Sequence, residues 1–423
     1  MAHPIWVAVT GDEMRAMDSS AVGNEADARL LIEAVKSKSA IQSALDSRLL
    51  VPSSERLTLI PHKEFCNDIP VIDISGLLDD GRRGETIAAV VNAAAYWGIF
   101  QVVNHGISDL VLENLMTVVK DFFSMPEEEK QLIAKDHENG RLQGYVPFSQ
   151  LFQKQAAWSN QIEYILQPHH LVGPEDTWPA RPAGFRQAIE EYCNEFHSVL
   201  AKILELLLSS CLKTSGTRKS SELLDGNQLQ VFRASYYDTC PQPEMVMGLR
   251  SHVDSSLITA IVQDDTGGLQ VEKDGQWYGV APTPGAVVIL LGSVLQVLTN
   301  DMLKAVEHRV VVNGESRRMS VTTGINPSSN TIVVPAQELI DELHPPHYLP
   351  CEYKEFRITN FEAGVLNSLD ALDQYRIKDQ VPSLHHRSLF PEDIEEHNPT
   401  FHHVGDGRLL DLQSFIREGI VAS

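Results

Sequence analysis

His252 and Asp254 are separated by one residue, and on an extended backbone residues i and i+2 project to the same side. An imidazole and a carboxylate so placed can form two corners of a metal site. His308 is the other histidine of the strand-rich stretch around them. Two histidines and one carboxylate on one face of a metal leave three positions open, the arrangement by which non-haem Fe(II) takes up a co-substrate and dioxygen together. The H-x-[DE] pair alone is weak, because about one match or more is expected by chance in a chain of this length, and His62-x-Glu64 is a second one. Position favours His252, which lies between the strand-like segments LQVFRASYY and LITAIVQ, whereas His62 has no strand before it. Read alone, His308 is equally a packed core or edge histidine.

Ten residues after His308, Arg318 and Ser320 repeat the i,i+2 spacing, so a guanidinium and a hydroxyl face one way. The planar fork of arginine suits a carboxylate. A buried arginine must meet either a ligand or an acidic partner, and the sequence leaves both open. Arg233 shares the face of Ser235 by alternation and reads either as a contact for a polar substrate group or as half of a salt bridge.

The elements that must position these residues are mostly short strands. Between about residues 229 and 335, LQVFRASYY, LITAIVQ, GLQVE, QWYGVA, AVVILLG, HRVVV, RMSVTTGIN and TIVVP are separated by Gly, Pro, Asn and Asp turn chemistry. So many short strands predict a sandwich or jelly roll. Residues 285–299 read as buried strand rather than as a membrane helix. Upstream, apolar residues at helical spacing over 185–211 predict a helix that buttresses a sheet. A helix also fits residues 28–47.

Composition bounds the function. Hydrophobic residues are 43% and charged residues 22% of 423, ordinary globular usage. The net charge of −23 repels phosphate backbones and anionic membranes, so neither nucleic acid nor membrane is expected as a partner. Cys66, Cys193, Cys211, Cys240 and Cys351 are odd in number and widely spaced, which reads as reduced thiols of a cytoplasmic protein. The start has no basic stretch followed by a long apolar run. A monomer is expected. His344, His347, His385, His386, His402 and His403 read as surface histidines, and His105 as a turn or packing residue.

Taken in order, SYYDTCPQPEMVMGLRSHVD, GGLQVEKDGQWYGV, EHRVVVN and RRMS resemble the motifs of the plant-type soluble 2-oxoglutarate/Fe(II)-dependent dioxygenases, relatives of isopenicillin N synthase. IPVIDIS and WGIFQVVNHGIS resemble the N-terminal lobe of that family, and GYVPFSQ with Trp158 its substrate-side loop, so the likeness runs over about residues 69 to 375. It implies an α+β fold with a double-stranded β-helix (jelly roll) core, flanked by helices of an N-terminal lobe and a C-terminal helical tail. The expected division is an N-terminal segment (1–66), the lobe (67–225), the catalytic core (226–335) and a C-terminal helix with a polar tail (336–423).

The resemblance further implies that His252, Asp254 and His308 ligate Fe(II), and that Arg318 and Ser320, helped by Tyr237, hold the distal carboxylate of 2-oxoglutarate. Dioxygen is then the oxidant and ascorbate keeps the iron reduced. The product is a hydroxylated, desaturated or demethylated small molecule, with flavonoids first, then terpenoids and alkaloids. Gln161 and Glu163 fall on the strand that borders the substrate pocket in this family, so with Arg233 they are candidate substrate contacts, the other reading being that one or both sit at the solvent rim. The chain departs from the pattern at Ser235, Leu290 and Ser293, and at Gly324 and Asn326, where the family commonly has an aromatic and an acidic residue, so Asn326 joins the substrate candidates. Relatives that oxidise without 2-oxoglutarate, and a catalytically silent receptor on the same fold, are the alternatives.

One local geometry follows. A plain two-residue hairpin at Asn313-Gly314 would turn Arg318 to the face opposite His308 and break the site. The function therefore requires the chain to cross from one sheet to the other there.

Overall fold

The computed structural model describes residues 5–8, 14–17, 60–136, 141–148, 157–212, 222–224, 227–357, 359 and 371–377. The expected helix over 28–47 and the histidine pairs at 385–386 and 402–403 lie outside these residues. In chain order the main elements are β1 (Ile5–Ala8), β2 (Met14–Met17), β3 (Val71–Asp73), α1 (Arg83–Tyr96), β4 (Ile99–Val103), α2 (Asp109–Phe123), α3 (Glu127–Gln131), β5 (Gly144–Val146), β6 (Asn160–Gln167) and α4 (Phe185–Leu212). There follow β7 (Leu229–Tyr237), β8 (Met247–His252), β9 (Ile258–Gln263), β10 (Leu269–Lys273), β11 (Gln276–Gly279), β12 (Val287–Leu291), α5 (Ser293–Leu298), β13 (His308–Val311), β14 (Arg318–Asn326), β15 (Ile332–Val333) and β16 (Cys351–Glu352).

Two sheets form the body. The major one has eight strands in the order β3-β4-β12-β9-β14-β7-β6-β5, and the minor one four, β11-β10-β13-β8. Alternation on the strands gives the major sheet two different faces. Phe232, Ala234, Ile258, Ala260, Val262, Val321 and Ile325 point outward into a core shared with α1, α2 and α4. The 28-residue α4 supplies Ile189, Tyr192, Phe196, Leu200, Ile203 and Leu207 to that core, so it buttresses the sheet as its periodicity predicts. The other face carries Tyr237, Ile261, Val288 and Leu290 into a smaller core with Val271 and Val310 of the minor sheet.

In the segment 285–299, read as buried strand, AVVILLG carries β12, and the residues after Gly292 form the short helix α5 instead. Gly292 makes the change of direction possible, because a Cβ there would lie 2.0 Å from the Ser256 carbonyl oxygen. Every residue of α5 is buried, which is why its composition reads as well for strand as for helix. Residues 247–252, which carry too little alternation to predict a strand, form β8 through pairing with β13.

β13 belongs to the minor sheet and β14 to the major one, so the chain does cross between sheets at Asn313-Gly314. Asn313 Oδ1 accepts from the amides of Glu315 (2.8 Å) and Ser316 (2.7 Å), an Asx turn that holds the crossing. Among the described residues no helix is long and apolar enough to cross a membrane.

Candidate active site

His308 and His252 are direct cross-strand partners on β13 and β8, with ring centroids 4.2 Å apart. Asp254 follows β8 in the loop that leads to β9, and its Oδ1 lies 3.6 Å from His252 Nε2 and 3.9 Å from His308 Nε2. The three are the group of metal-ligating side chains found among the described residues, their ligand atoms all within 4.8 Å of one another. His62 and Glu64 are not part of it.

Framework contacts fix each of the three. The Nδ1 edges of His252 and His308 face the backbone carbonyls of Arg250 (2.8 Å) and Val306 (3.2 Å). Donation from Nδ1–H to those carbonyls leaves Nε2 as the free lone pair, the tautomer a metal needs. Burial, and then His308 beside it, pushes His252 down to about 4, so the imidazole is neutral at physiological pH. Burial raises Asp254, but the two imidazoles and a hydrogen bond from Thr259 outweigh it and keep the carboxyl below its ordinary value. The Asp254 backbone carbonyl accepts from both the amide (2.8 Å) and the hydroxyl (2.9 Å) of Ser293 at the start of α5. Ser293 and Thr259 therefore support the carboxylate ligand. The sequence flagged Ser293 only as a departure, and Thr259 not at all.

Arg318 is 3% exposed and sits opposite Tyr237 on β7, its guanidinium carbon 5.1 Å from the Tyr237 ring centroid. Nη1 donates to Ser320 Oγ at 2.9 Å and Nη2 to Gln263 Oε1 at 2.9 Å, while Nε is buried without a partner. No carboxylate forms a salt bridge with it among the described residues. Asp264 lies close enough to feel its charge but spends its oxygens on the amides of Met319 and Thr266. Of the two readings open in the sequence, an ordinary salt bridge and a ligand site, the first is absent. Gly268, at φ 103°, brings backbone close beside this side chain, with the Arg318 Cδ 3.5 Å from where a Cβ would stand.

Across the inward face, β9, β14, β7 and β6 align the polar row Gln263, Ser320, Ser235, Gln161 and beside it the row Ile261, Thr322, Arg233, Glu163. Gln161 is 5% exposed and its Nε2 has no partner. Arg233 takes the salt bridge that was its other reading: Nε (3.0 Å) and Nη2 (2.7 Å) donate to Glu163 Oε2, and Lys135 Nζ donates to Oε1 at 2.9 Å. Both oxygens of Glu163 are thus occupied. Burial alone would raise this carboxyl, but Lys135 and Arg233 hold it well below the usual carboxylate range. The Arg233 side chain is 40% accessible and lies close enough to Asp254 to feel its charge. Asn326 is committed at both ends, donating to the Leu229 carbonyl (3.0 Å) and accepting from the Tyr353 hydroxyl (2.7 Å).

Glu163→Leu leaves two cations unbalanced on the pocket wall. A loss of about 1–3 kcal/mol is expected in chemical denaturation, below the range for a fully buried pair because Arg233 retains access to water. Since the folded carboxyl is depressed, its contribution is complete above the unfolded value near ~4.3 and fades as pH falls. The wild type and the variant should therefore converge in stability on acidification.

Three further histidines have local tasks. His105 Nδ1 accepts from the Ile107 amide (3.2 Å) and its ring packs near Phe196, while His344 pairs with Asp341 and His347 with Asp301, each at 2.7 Å.

Sequence comparison agrees with this geometry. A profile of the 2OG-Fe(II) oxygenase superfamily matches residues 228–327, and one described as non-haem dioxygenase in morphine synthesis N-terminal matches 69–181. A flavonol synthase/flavanone 3-hydroxylase of Solanum tuberosum is 32% identical over 327 residues, 77% of this chain and 92% of that protein. Jasmonate-induced oxygenase 2 of Arabidopsis thaliana is 34% identical over 324 residues, 75% of this chain and 85% of that protein. The crystal structure of JOX2 in complex with 2OG, Fe and JA superposes with a TM-score of 0.63 at 29% identity, covering 74% of this chain and 94% of that one. The chain belongs to the plant-type 2-oxoglutarate- and Fe(II)-dependent dioxygenases, oxidoreductases that act on small molecules.

Proposed function

We infer that His252, Asp254 and His308 hold one Fe(II), that Arg318 and Ser320 with Tyr237 hold the distal carboxylate of 2-oxoglutarate, and that the substrate is a small plant-type metabolite. The observation that carries this reading is the buried, acid-free guanidinium of Arg318 with its unpartnered Nε, on the strand that follows the one carrying His308 of the three-residue His252, Asp254 and His308 cluster. Two imidazoles and one carboxylate fit Fe(II), and a fixed cation with spare N–H groups fits a carboxylate.

Bound iron and 2-oxoglutarate supply an oxidising centre from dioxygen, with ascorbate keeping the metal ferrous. The chain supplies placement. The carbonyls of Arg250 and Val306 orient the two rings, Ser293 and Thr259 orient Asp254, and Leu290, Ile261 and Val288 keep the inner wall apolar. Excluding water this way protects the reacting centre and strengthens every charge contact within it.

Gln161, Glu163 and Arg233 form the wall that meets the substrate, and Asn326, held by Tyr353, shapes the end of β14. Flavonoids are the first candidates, because several similar proteins are named flavonol synthase or flavanone 3-hydroxylase. Terpenoids and alkaloids follow. The protein is proposed to work as a cytoplasmic monomer without nucleic acid or membrane partners, in keeping with its net charge of −23. A screen of flavanones, diterpene acids and alkaloids, scored by succinate release and by mass change of the candidate, tests the reading. One class should give both signals together, and mass change without succinate would overturn it.

A further inference from the structure

Resting on the reading that Arg318 and Ser320 hold the distal carboxylate of 2-oxoglutarate, we propose that Gln263 is a direct ligand of the co-substrate, donating from its side-chain amide to that same carboxylate. Ile258, Ala260 and Val262 of β9 point outward into the helix-side core, so Thr259, Ile261 and Gln263 point inward. In register, Gln263 stands beside Ser320. Its Oε1 accepts from Arg318 Nη2 at 2.9 Å, and its Nε2 is buried with no partner.

The orientation of this amide is set by chemistry. Turned over, its NH2 would face the guanidinium, donor against donor, and the contact with Arg318 would be lost. The Arg318 bond therefore fixes Oε1 on the guanidinium and leaves Nε2 as a buried donor with nothing to meet. Arg318 Nε, on the residue it contacts, is in the same condition. Buried donors of native proteins are almost always satisfied, and two adjacent exceptions on one inward-facing patch call for an acceptor-only ligand. A carboxylate is such a group: ionised, it accepts through about four lone-pair sites and donates nothing.

Gln263 thus acts twice. It restrains the Arg318 fork, and it adds a neutral donor to a clamp whose charge comes from the arginine alone. Neither task is visible from R-x-S spacing, because Gln263 lies 55 residues upstream of Arg318 and reaches it only through pairing of β9 with β14.

The test is 2-oxoglutarate binding to the full chain loaded anaerobically with Fe(II), followed by calorimetry so that no turnover is needed. Gln263→Leu should weaken 2-oxoglutarate about 10-fold or more, corresponding to the loss of one hydrogen bond to a charged group. Pyruvate, a keto acid without the distal carboxylate, should bind both proteins alike, and Fe(II) affinity should not change. Equal 2-oxoglutarate affinity in variant and wild type would overturn the proposal. Adding Gln263→Leu to an Arg318→Lys background separates direct binding from restraint of the arginine. A further loss of threefold or more supports direct donation, and no further loss means that Gln263 acts only through Arg318, which also overturns it. If the leucine variant does not fold, Gln263→Met is measured with the same two criteria.

Discussion

Replacing His308 by alanine is expected to abolish stoichiometric Fe(II) binding and, with it, all 2-oxoglutarate-dependent oxygen uptake, while the protein remains folded. In the proposed site His308 offers one of three ligand atoms, and its ring is positioned by β13 and by the Val306 carbonyl. Removing one of three protein ligands from an open site leaves a two-point attachment, and even loss of a supporting outer contact in such sites costs about 10- to 100-fold in affinity. A fall of at least 100-fold in Fe(II) affinity is therefore the expected result. Equilibrium dialysis against Fe(II) under anaerobic conditions measures it, and circular dichroism with a thermal melt confirms the fold. Retention of metal and activity would show that the iron lies elsewhere.

The second large effect concerns the co-substrate. Arg318→Leu removes the only guanidinium among the described residues that contacts Ser320 and Gln263 and leaves His252, Asp254 and His308 untouched. Hydrogen bonds to charged groups contribute about 1.5–3 kcal/mol each. Loss of two such bonds predicts a rise in the 2-oxoglutarate KM of roughly 100-fold or more at about 1.4 kcal/mol per decade. Fe(II) affinity should move little. The free protein should be no less stable than wild type, because a buried charge without a counter-ion is costly to keep. A variant with normal 2-oxoglutarate KM would assign Arg318 to another group, and a variant that unfolds would make its role structural.

These expectations depend on geometry that was unevenly legible in the sequence. His252, Asp254 and His308 could be picked out because motif order selected them over His62-x-Glu64, and the structure brings the three together. The sheet crossing at Asn313-Gly314 could be deduced because only a crossing lets His308 and Arg318 share a cavity, and β13 and β14 do lie in different sheets. Strands β7, β9, β10, β12 and β14 were readable from β-branched runs bounded by turn residues.

Less visible features depend on partners far away in sequence. MGLRSH does not read as a strand, yet it becomes β8 when paired with β13. The apolar run through 287–298 has no period that separates β12 from α5, and the bend is set by Gly292 packing on Ser256. Alternation puts Arg233 inward and leaves Glu163 between the pocket and the solvent rim, and only the pairing of β6 with β7 shows that they spend their charges on each other and on Lys135. The pocket wall is consequently less open to a basic or hydroxylated substrate group than an unpaired Glu163 would be. Gln263 carries no signal in the sequence for the same reason, since an unpartnered amide nitrogen exists only in three dimensions.

The central claim is that iron held by His252, Asp254 and His308 oxidises a small molecule at the expense of 2-oxoglutarate bound by Arg318. The ratio of succinate formed to dioxygen consumed, with the substrate found by the screen, tests it most directly. One succinate per dioxygen, abolished by His308→Ala and restored in Arg318→Leu only at high 2-oxoglutarate, is the predicted result. Substrate oxidation with dioxygen consumed but no succinate formed would contradict it.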